Sequence, residues 1–563
     1  MKLSRLAILM TLSCASASVL SSAYNVQELA TQSLSTNTYG TSIDDTGLIL
    51  TVIEDIYNAP IDISLLPLDQ DALINSLTDV EGVRNGQIND VDYAFLISSL
   101  RTAARSESQF SQPFARYLAY SSDGTTQNFI NANDTFSESL GSFTYSMDTI
   151  AVDSVNGTHI IANSEGPFSL LEYTTDTDDE LTFILPEFDQ RAIVQVGDQV
   201  TQLIPQDTTL GGVSRVTSIN DNYQVVGSTS VNITAAFEAA ILNCNDDDVR
   251  SDIPAESCLR SLLFSTTTNG VSRQTITWIN RAAVWDLDSQ GQVVDTTVYG
   301  LTFEPTDEQS RSTQFFSQAL AINNAGQAVG TSTVLFSGDR ITAGATLYEN
   351  GESKRLIPED EFLPNSAIGI NDNGLVVGIR QQVINSATRE KMFIHNIATG
   401  ETEFIQGFFE SSSTTPRAIN QNNIVVGNAE INAGTVNSVR RRAGFIFDID
   451  NNTFTDINTL LACDSEYSVI EAIDINNSGD IVATALTKRP ERNVQGQIVL
   501  NDAGEQTLVD TVVTLKLTPS GQNAPDCSDT EEDIASERQG ASINVGLFGL
   551  LLMATWLRVF RNK

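Results

Sequence analysis

Histidine is the usual acid–base residue at neutral pH, and this chain of 563 residues has only two, His159 and His395. His395 lies in an apolar segment at a position where related segments have Trp, Tyr or Phe, so it is expected to pack against neighbours. His159 stands at a variable position and is expected to be solvated. Neither histidine is a convincing base for a Ser-His-Asp or Cys-His mechanism. The sequence has no GxSxG, P-loop or HExxH motif and predicts no catalytic residue and no enzyme.

Carboxylates are the abundant reactive groups. The chain has 71 Asp and Glu against 31 Lys and Arg, which gives a formal net charge of −40. Nucleic-acid binding is not expected, because it needs clustered positive charge. A pair of loop carboxylates is also the equipment of a glycosidase, so an extracellular glycan-active hydrolase is the alternative function.

Two acidic clusters offer the oxygen ligands that Ca²⁺ prefers. Neither has the glycine and distal glutamate of an EF-hand, so solvated acidic loops are the favoured interpretation and Ca²⁺ binding is the alternative. No other cofactor is predicted. The metal candidates are Asp176, Asp178, Asp179, Asp246, Asp247 and Asp248.

The N-terminus has the features of an export signal. A basic start, an apolar stretch and small residues lead to a cleavage site before Tyr24, so residues 1–23 are predicted to be a signal peptide. A lipoprotein acylated at Cys14 is the alternative. Export places the other four cysteines in an oxidising compartment, where the pairs Cys244–Cys258 and Cys463–Cys527 are expected. Zinc is the competing interpretation, but the chain has no CxxC and few histidines.

A short phrase recurs along the chain, and repeats of this kind determine a fold. It is clearest in GINDNGLVVGIR (369–380) and AINQNNIVVGNA (418–429), where an Ile-Asn pair and a polar turn precede Val-Val-Gly. The copy near residue 152 is degenerate, with a longer turn expected. Copies start near residues 43, 152, 219, 322, 370, 419 and 475.

The last position of the phrase's turn is predicted to need a positive φ, as in a type I turn with a G1 bulge. Glycine and asparagine tolerate that conformation. Tyr223 departs from this rule, so a different turn is expected there. The predicted turn residues are Gly47, Gly326, Gly374, Asn423 and Gly479.

Each phrase is followed by a second hairpin, as in KMFIHNIATGETEFI (391–405). Two hairpins in about 50 residues have the size of one propeller blade. The sequence therefore predicts an all-β propeller of about seven four-stranded antiparallel blades over residues 24–526, with a helical insertion at 90–119. The start YNVQELA resembles a fourth strand and is expected to pair with the last blade and close the ring. An open β-solenoid or two smaller β-domains are the alternatives.

These phrases, together with GATLYENGESKRLI (344–357), resemble HAF-type extracellular repeats. The export signal, the YNVQEL start and the late cysteine also resemble an uncharacterised, domain-of-unknown-function family of secreted Gram-negative proteins. The resemblance covers most of the mature chain and implies an architecture and a location. It brings no biochemical activity.

The C-terminal segment has two parts, an acidic linker at 527–542 and an apolar tail at 543–563 that ends in basic residues. The apolar stretch 545–557 is shorter than a full span of about 20 residues, so it is expected to be an anchor or a sorting tail. It resembles the GlyGly-CTERM sorting signal, which a rhomboid-like protease cuts. Gly540-Ala541-Ser542 stands where Gly-Gly-Ser is usual.

Together these features predict an exported, surface- or membrane-tethered repeat protein that acts as a non-catalytic binding or structural module. Its expected partner is a cell-surface or extracellular protein or glycan. Its expected location is the cell surface, the extracellular space or the periplasmic side of the inner membrane.

Overall fold

The computed structural model describes residues 22–527, apart from residues 32, 69–70, 104–111, 265–266, 269–270, 273–277, 307–314, 337–339, 358–362 and 434–439. Seven four-stranded antiparallel sheets are arranged as the blades of a β-propeller. The first strand of each blade contacts the first strands of its neighbours, so these strands line the central axis. The predicted seven-bladed propeller is confirmed.

Strand β1 (Ser22–Glu28) precedes blade 1. The strands of each blade are given from the axis outward. Blade 1 has β2 (Asn37–Ile43), β3 (Ile49–Glu54), β4 (Tyr117–Ser122) and β5 (Gln127–Phe129). Blade 2 has β8 (Thr149–Val155), β9 (His159–Ser164), β12 (Arg191–Val196) and β13 (Gln199–Leu203). Blade 3 has β14 (Ser214–Ile219), β15 (Gln224–Ile233), β18 (Trp278–Leu287) and β19 (Val293–Val298).

The next three blades have shorter connections, and the last one ends the described chain. Blade 4 has β20 (Ser317–Ile322), β21 (Ala328–Phe336), β22 (Arg340–Glu349) and β23 (Glu352–Arg355). Blade 5 has β24 (Asn365–Ile370), β25 (Leu375–Ile384), β26 (Ala387–Asn396) and β27 (Thr402–Ile405). Blade 6 has β28 (Thr414–Ile419), β29 (Ile424–Glu430), β30 (Arg442–Asp448) and β31 (Thr453–Asp456). Blade 7 has β32 (Ser468–Ile475), β33 (Ile481–Pro490) and β34 (Leu508–Asn523).

Strand β1 completes blade 7. It pairs antiparallel with β34, from Tyr24 opposite Pro519 to Glu28 opposite Leu515, so the sheet order is β1-β34-β33-β32. The predicted closure of the ring by the N-terminal strand is therefore confirmed. Closure pairs two sheet edges that an open ring would expose.

The connections carry short hairpins and helices. The hairpins are β6–β7 (Phe136–Ser137, Ser142–Phe143), β10–β11 (Phe168–Thr174, Glu180–Pro186) and β16–β17 (Thr267–Thr268, Val271–Ser272). The helices are α1 (Asp71–Ile74), α2 (Val80–Arg84) and α3 (Asp90–Ala103) in blade 1, and α4 (Ala235–Cys244) and α5 (Ala255–Phe264) in blade 3. The 3₁₀ turns are Ile63–Leu65, Thr209–Gly211 and Ile457–Leu460.

The helical insertion in blade 1 is present, but its predicted end at residue 119 is wrong. The described part of α3 ends at Ala103, and β4 starts at Tyr117. Five of the six residues of β4 are buried between its neighbours, and the N–H of Tyr117 is bound by the Asp148 carboxylate at 2.9 Å. Packing inside the blade therefore outweighs the helical pattern that the sequence suggested.

The degenerate repeat near residue 152 has a shorter turn than predicted, not a longer one. Strand β8 continues to Val155, which pairs with His159. Asn156 and Gly157 make the turn, with φ of 57° and 67°. The N–H of Thr158 donates to the carbonyl oxygen of Val155, so the loop has three residues, and Asn-Gly suits the centre of its turn because both residues tolerate positive φ.

Each axial strand contains a β-bulge near its middle, for example between Ala367 and Gly369 in blade 5. The bulge explains the glycine of the Val-Val-Gly motif. A Cβ on Gly378 would collide with the carbonyl oxygen of Ser366, and Gly227, Gly330 and Gly427 face equivalent carbonyl oxygens. Only glycine lets the two backbones approach this closely.

Candidate functional site

The asparagine of the repeated phrase joins neighbouring blades. Asn371 is fully buried, and its Oδ1 accepts the N–H groups of Asn373 and Leu375, both at 3.1 Å. Its Nδ2 donates to the carbonyl oxygen of Asn420 in the next blade at 3.1 Å. One side chain thus closes its own turn and binds the adjacent turn.

The same amide-to-carbonyl bond recurs around the axis, and we call this series the asparagine belt. It runs from Asn220 to Asn323, Asn371, Asn420, Asn476 and the carbonyl of Asp44. Blade 2 lacks the phrase, and there the Asp44 carboxylate accepts the N–H of Gly157 at 2.7 Å. The repeated phrase therefore has a structural role that extends beyond its hairpin.

The five turn residues named from the sequence all have positive φ, from 59° at Asn423 to 86° at Gly47. The different turn expected at Tyr223 is wrong, because Tyr223 also has a positive φ of 59° and makes the same turn bond to the carbonyl of Asn220. The ring of Tyr223 stacks on His159 with 4.3 Å between centroids. This contact offsets part of the cost of the left-handed conformation.

That stacking also corrects the expectation for His159. Its side chain is buried, not solvated, and burial lowers its pKa. His395 occupies the aromatic position of blade 5. It pairs with Val376 just as Trp285 pairs with Val225 in blade 3, and burial lowers its pKa as well. Its Nδ1 lies 2.8 Å from Thr402 Oγ1, inside the blade.

The belt lies at one end of the propeller, which we call the turn face. The turn face consists of the turns that join the first strand to the second in every blade, and the third strand to the fourth in blades 1 to 6. The structure describes all of these turns. None of these turns contains a lysine or an arginine. Their ten carboxylates are Asp44, Asp45, Asp123, Asp198, Asp221, Asp288, Asp372, Glu401, Asp450 and Asp480.

Two lysines stand on strands next to the turn face, and both are engaged in ion pairs. Lys354 lies 3.3 Å from Glu352, and Lys516 lies 3.2 Å from Asp480. The opposite end carries the helical insertions and arginines such as Arg84. The turns of the turn face therefore carry carboxylates alone, whereas the opposite end carries both arginines and carboxylates such as Asp71 and Glu81.

Below the belt, two carboxyl groups converge on one hydroxyl group at the axis. Ser42 Oγ lies 3.0 Å from Asp153 Oδ1 and 3.0 Å from Asp474 Oδ2. The other oxygen of Asp153 accepts Ser218 Oγ and the N–H of Ile219, both at 3.0 Å. Burial, and then the charge of Asp474, raise the pKa of Asp153 to about 7. Burial also raises the pKa of Asp474.

These axial residues are equivalent in the blades and were missed in the sequence. Ser42 and Asp474 are each the second-to-last residue of their axial strand, and Asp153 is the third-to-last residue of β8. The second-to-last residues in blades 4, 5 and 6 are Ala321, Gly369 and Ala418. The sequence signal that could have identified them is a polar residue at the position next to the Ile of the repeated phrase. Ser42 fills the gap between the two carboxyl groups, whereas a glycosidase needs room there for a sugar.

The predicted metal candidates do not come together. Asp176, Asp178 and Asp179 lie in or beside the β10–β11 turn, where the N–H of Asp176 donates to Asp252 at 2.7 Å. Asp246, Asp247 and Asp248 follow α4, and Asp247 forms an ion pair with Arg250. In the part of the chain that the structure describes, no group of three or more His, Cys, Asp or Glu side chains is arranged to hold a metal ion.

Both predicted disulfides are present. Cys244–Cys258 joins α4 to α5, and Cys463–Cys527 ties the chain that follows β34 to the loop before β32, each with 5.5 Å between Cα atoms. Beside the first disulfide, a pocket of about 370 Å³ lies between the β10–β11 hairpin and α5. Its Arg260 is bound by the carbonyl oxygen of Glu187 at 2.8 Å.

The blades, the belt and the closing strand define a β-propeller protein. A family model described as "Protein of unknown function (DUF3466)" matches residues 1–559, and the chain belongs to this family. No curated protein matches the chain significantly.

Several solved structures match this chain with low scores. The β-propeller domain of the Trilobed protease from Pyrococcus furiosus has a TM-score of 0.36 and 8% identity, covering 84% of this chain and 95% of that one. Pyrococcus horikoshii acylaminoacyl peptidase has a TM-score of 0.38 and 10% identity, covering 86% and 53%. TolB from Acinetobacter baumannii has a TM-score of 0.26 and 9% identity, covering 67% and 81%. At this level the similarities carry no information on function.

The predicted linker beyond Cys527 and the apolar tail lie outside the described residues, as do residues 1–21 of the predicted signal peptide. Among the residues that are described, no helix has both the length and the apolar character needed to cross a membrane.

Proposed function

We propose that this protein is an exported, non-catalytic binding module that takes a positively charged protein partner on its turn face. The observation that carries the proposal is the charge of that face, where ten carboxylates occur in turns without a lysine or an arginine. Unmixed charge on one surface attracts a partner of opposite sign and orients it during encounter.

The carboxylates nearest the axis are held in place before any partner arrives. Asp45 Oδ1 accepts the N–H of Asn477 at 2.8 Å, and Asp372 Oδ1 accepts the N–H of Asn324 at 2.7 Å. Asp221 Oδ2 accepts Asn324 Nδ2 at 2.8 Å. These three aspartates are nevertheless exposed. Binding to such fixed groups costs less conformational entropy than ordering mobile side chains.

Two further observations support an extracytoplasmic role. Two disulfides suit a protein that works in an oxidising compartment. The apolar tail at 543–563 then serves as an anchor or a sorting signal, removed by a rhomboid-like protease in the second case. In either case the propeller stays on the outer side of the inner membrane.

The test is binding of a lysine-rich peptide to the mature protein, followed by fluorescence anisotropy. Asp198, Glu401 and Asp450 are exposed turn-face residues that lie outside the asparagine belt. Their simultaneous change to lysine should weaken binding at least about tenfold, since each exposed charge pair contributes about 0.2–1 kcal/mol and a reversal adds repulsion.

The matched control changes three exposed carboxylates at the opposite end to lysine, namely Asp71, Glu138 and Asp502. Both triple variants have the same net charge. The control should keep the affinity of the unchanged protein within about twofold. Equal losses in both variants would mean that the peptide responds to net charge alone, and the proposed face would be rejected. Preferential binding of neutral glycans would favour a glycan partner instead.

A further inference from the structure

We propose that Asp153, Ser42 and Asp474 form a proton-binding site, in which one shared proton links blades 2, 1 and 7 across the seam where the ring closes. The site is distinct from the turn face and does not depend on the proposed partner.

The geometry requires a second hydrogen between these three groups. Ser42 Oγ lies 3.0 Å from a carboxyl oxygen on either side, but a hydroxyl group has one hydrogen to donate. With both carboxyl groups ionised, one of the two contacts would place two acceptors together. If one carboxyl group keeps its proton, it donates to Ser42 Oγ while Ser42 donates to the other.

Backbone donors prevent the carboxyl groups from turning away. Asp474 accepts the N–H of Ile43 at 2.9 Å and that of Ile475 at 2.8 Å. Asp153 accepts the N–H of Ser154 at 2.8 Å and that of Ile219 at 3.0 Å. Loss of the proton therefore leaves two fixed carboxylates competing for one hydroxyl group.

The charged groups around the triad do not relieve this competition. Blade 1 contributes Asp44 and Asp45, and the charge of Asp45 raises the pKa of Asp474. The adjoining strands also carry His159, Glu54 and Arg215, together with Glu471, which is paired with Arg417, and Asp480, which is paired with Lys516. Burial is the largest cause of the raised pKa of Asp153, about 7.

The sign of the pH dependence follows from that shift. An unfolded aspartate has a pKa of about 3.9, so the folded protein binds the proton more tightly. The resulting stability is fully present below about pH 4 and is lost as the pH rises through about 7. The affected contacts join blade 1 to blades 2 and 7, and blade 7 contains the closing pair β1–β34.

The test compares the unfolding equilibrium of the unchanged protein and of Asp153→Asn in urea between pH 5 and pH 8, a range that covers most of the interval from about pH 4 to about pH 7 over which the linked stability is lost. One linked proton changes the unfolding constant by up to about tenfold per pH unit. The unchanged protein should show this additional dependence, and Asp153→Asn should lack it. Asp372→Asn, at an exposed turn position, is the matched control and should keep the full dependence.

A second measurement covers the case in which Asp153→Asn does not fold. Infrared spectroscopy of the unchanged protein should show the carbonyl band of a protonated carboxyl group at about pH 6 and lose it by about pH 9. Absence of that band at pH 6 overturns the proposal. So does an identical pH dependence of unfolding in the unchanged protein and in folded Asp153→Asn.

Discussion

Replacing Asn371 by alanine tests whether the asparagine belt holds the blades together. Asn371 is fully buried and makes bonds to Asn373, Leu375, Asn420 and Asn423. Alanine would remove the interblade donor to the Asn420 carbonyl oxygen, which keeps the N–H of Asn423, and would remove the side-chain acceptor of the Asn373 and Leu375 N–H groups. A buried polar group that loses its partner costs about 1–3 kcal/mol, so the expected loss of unfolding free energy is about 1–3 kcal/mol.

The matched control is Asn373→Ala, two residues away in the same turn. Asn373 is exposed, and its Nδ2 donates to the carbonyl of Gln421 at 3.1 Å and to Asn423 Oδ1 at 2.9 Å. Water can replace these bonds, so the expected loss is about 0.5–1 kcal/mol. Urea unfolding followed by fluorescence would measure both variants. Similar losses in the two, or less than about 1 kcal/mol for Asn371→Ala, would refute the interpretation of the belt.

Asn371→Asp separates the two functions of the side chain. A carboxylate keeps the acceptor for the turn N–H groups but loses the donor to Asn420, and it places a negative oxygen against a carbonyl oxygen. The loss of stability should increase with pH as the aspartate ionises, because the charged form is the one disfavoured by burial. A loss independent of pH would show that the interblade bond contributes little.

Three further predictions concern the turn, the disulfides and the tail. Gly374→Val should cost about 1–2 kcal/mol because φ is 73° there while a Cβ has space, and Gly374→Asn should be milder; equal losses in urea unfolding would contradict this. Thiol titration of the unfolded, unreduced protein should find no free thiol, and removing Cys463–Cys527, which spans 64 residues, should cost about 4 kcal/mol against about 3 for the 14-residue Cys244–Cys258 loop. The reverse order would reject the loop-entropy argument. Mass spectrometry of the mature protein should find a C-terminus near Gly540, and an intact Lys563 would make the tail a permanent anchor.

The blades could be predicted because their information is local. Turn residues with positive φ and alternating strands recur within about 50 residues, and each unit carries its own hairpin signals. The closing strand was also recognisable, since β1 resembles the outer strands of other blades. The end of α3 was predicted wrongly, because burial of β4 within its sheet overrides the helical pattern of Tyr117 and its neighbours.

The candidate site was harder to predict from the sequence, because its contacts join distant parts of the chain. Ser42 and Asp474 are 432 residues apart, and the stacking of His159 on Tyr223 joins two blades. The local periodicity of the sequence cannot predict such pairs. The acidic turn face could have been predicted, since the predicted turns already contained the acidic residues. The net charge of the chain alone does not show where on the surface the charge lies.

The most direct test of the central claim is hydrogen–deuterium exchange with and without the lysine-rich peptide. The claim is that the turn face binds the partner. Bound peptide should slow exchange in segments that cover residues 220–223, 371–374 and 449–452, and it should leave α1–α3 and α4–α5 unchanged. Protection confined to those helices, with none in the turns, would contradict the claim.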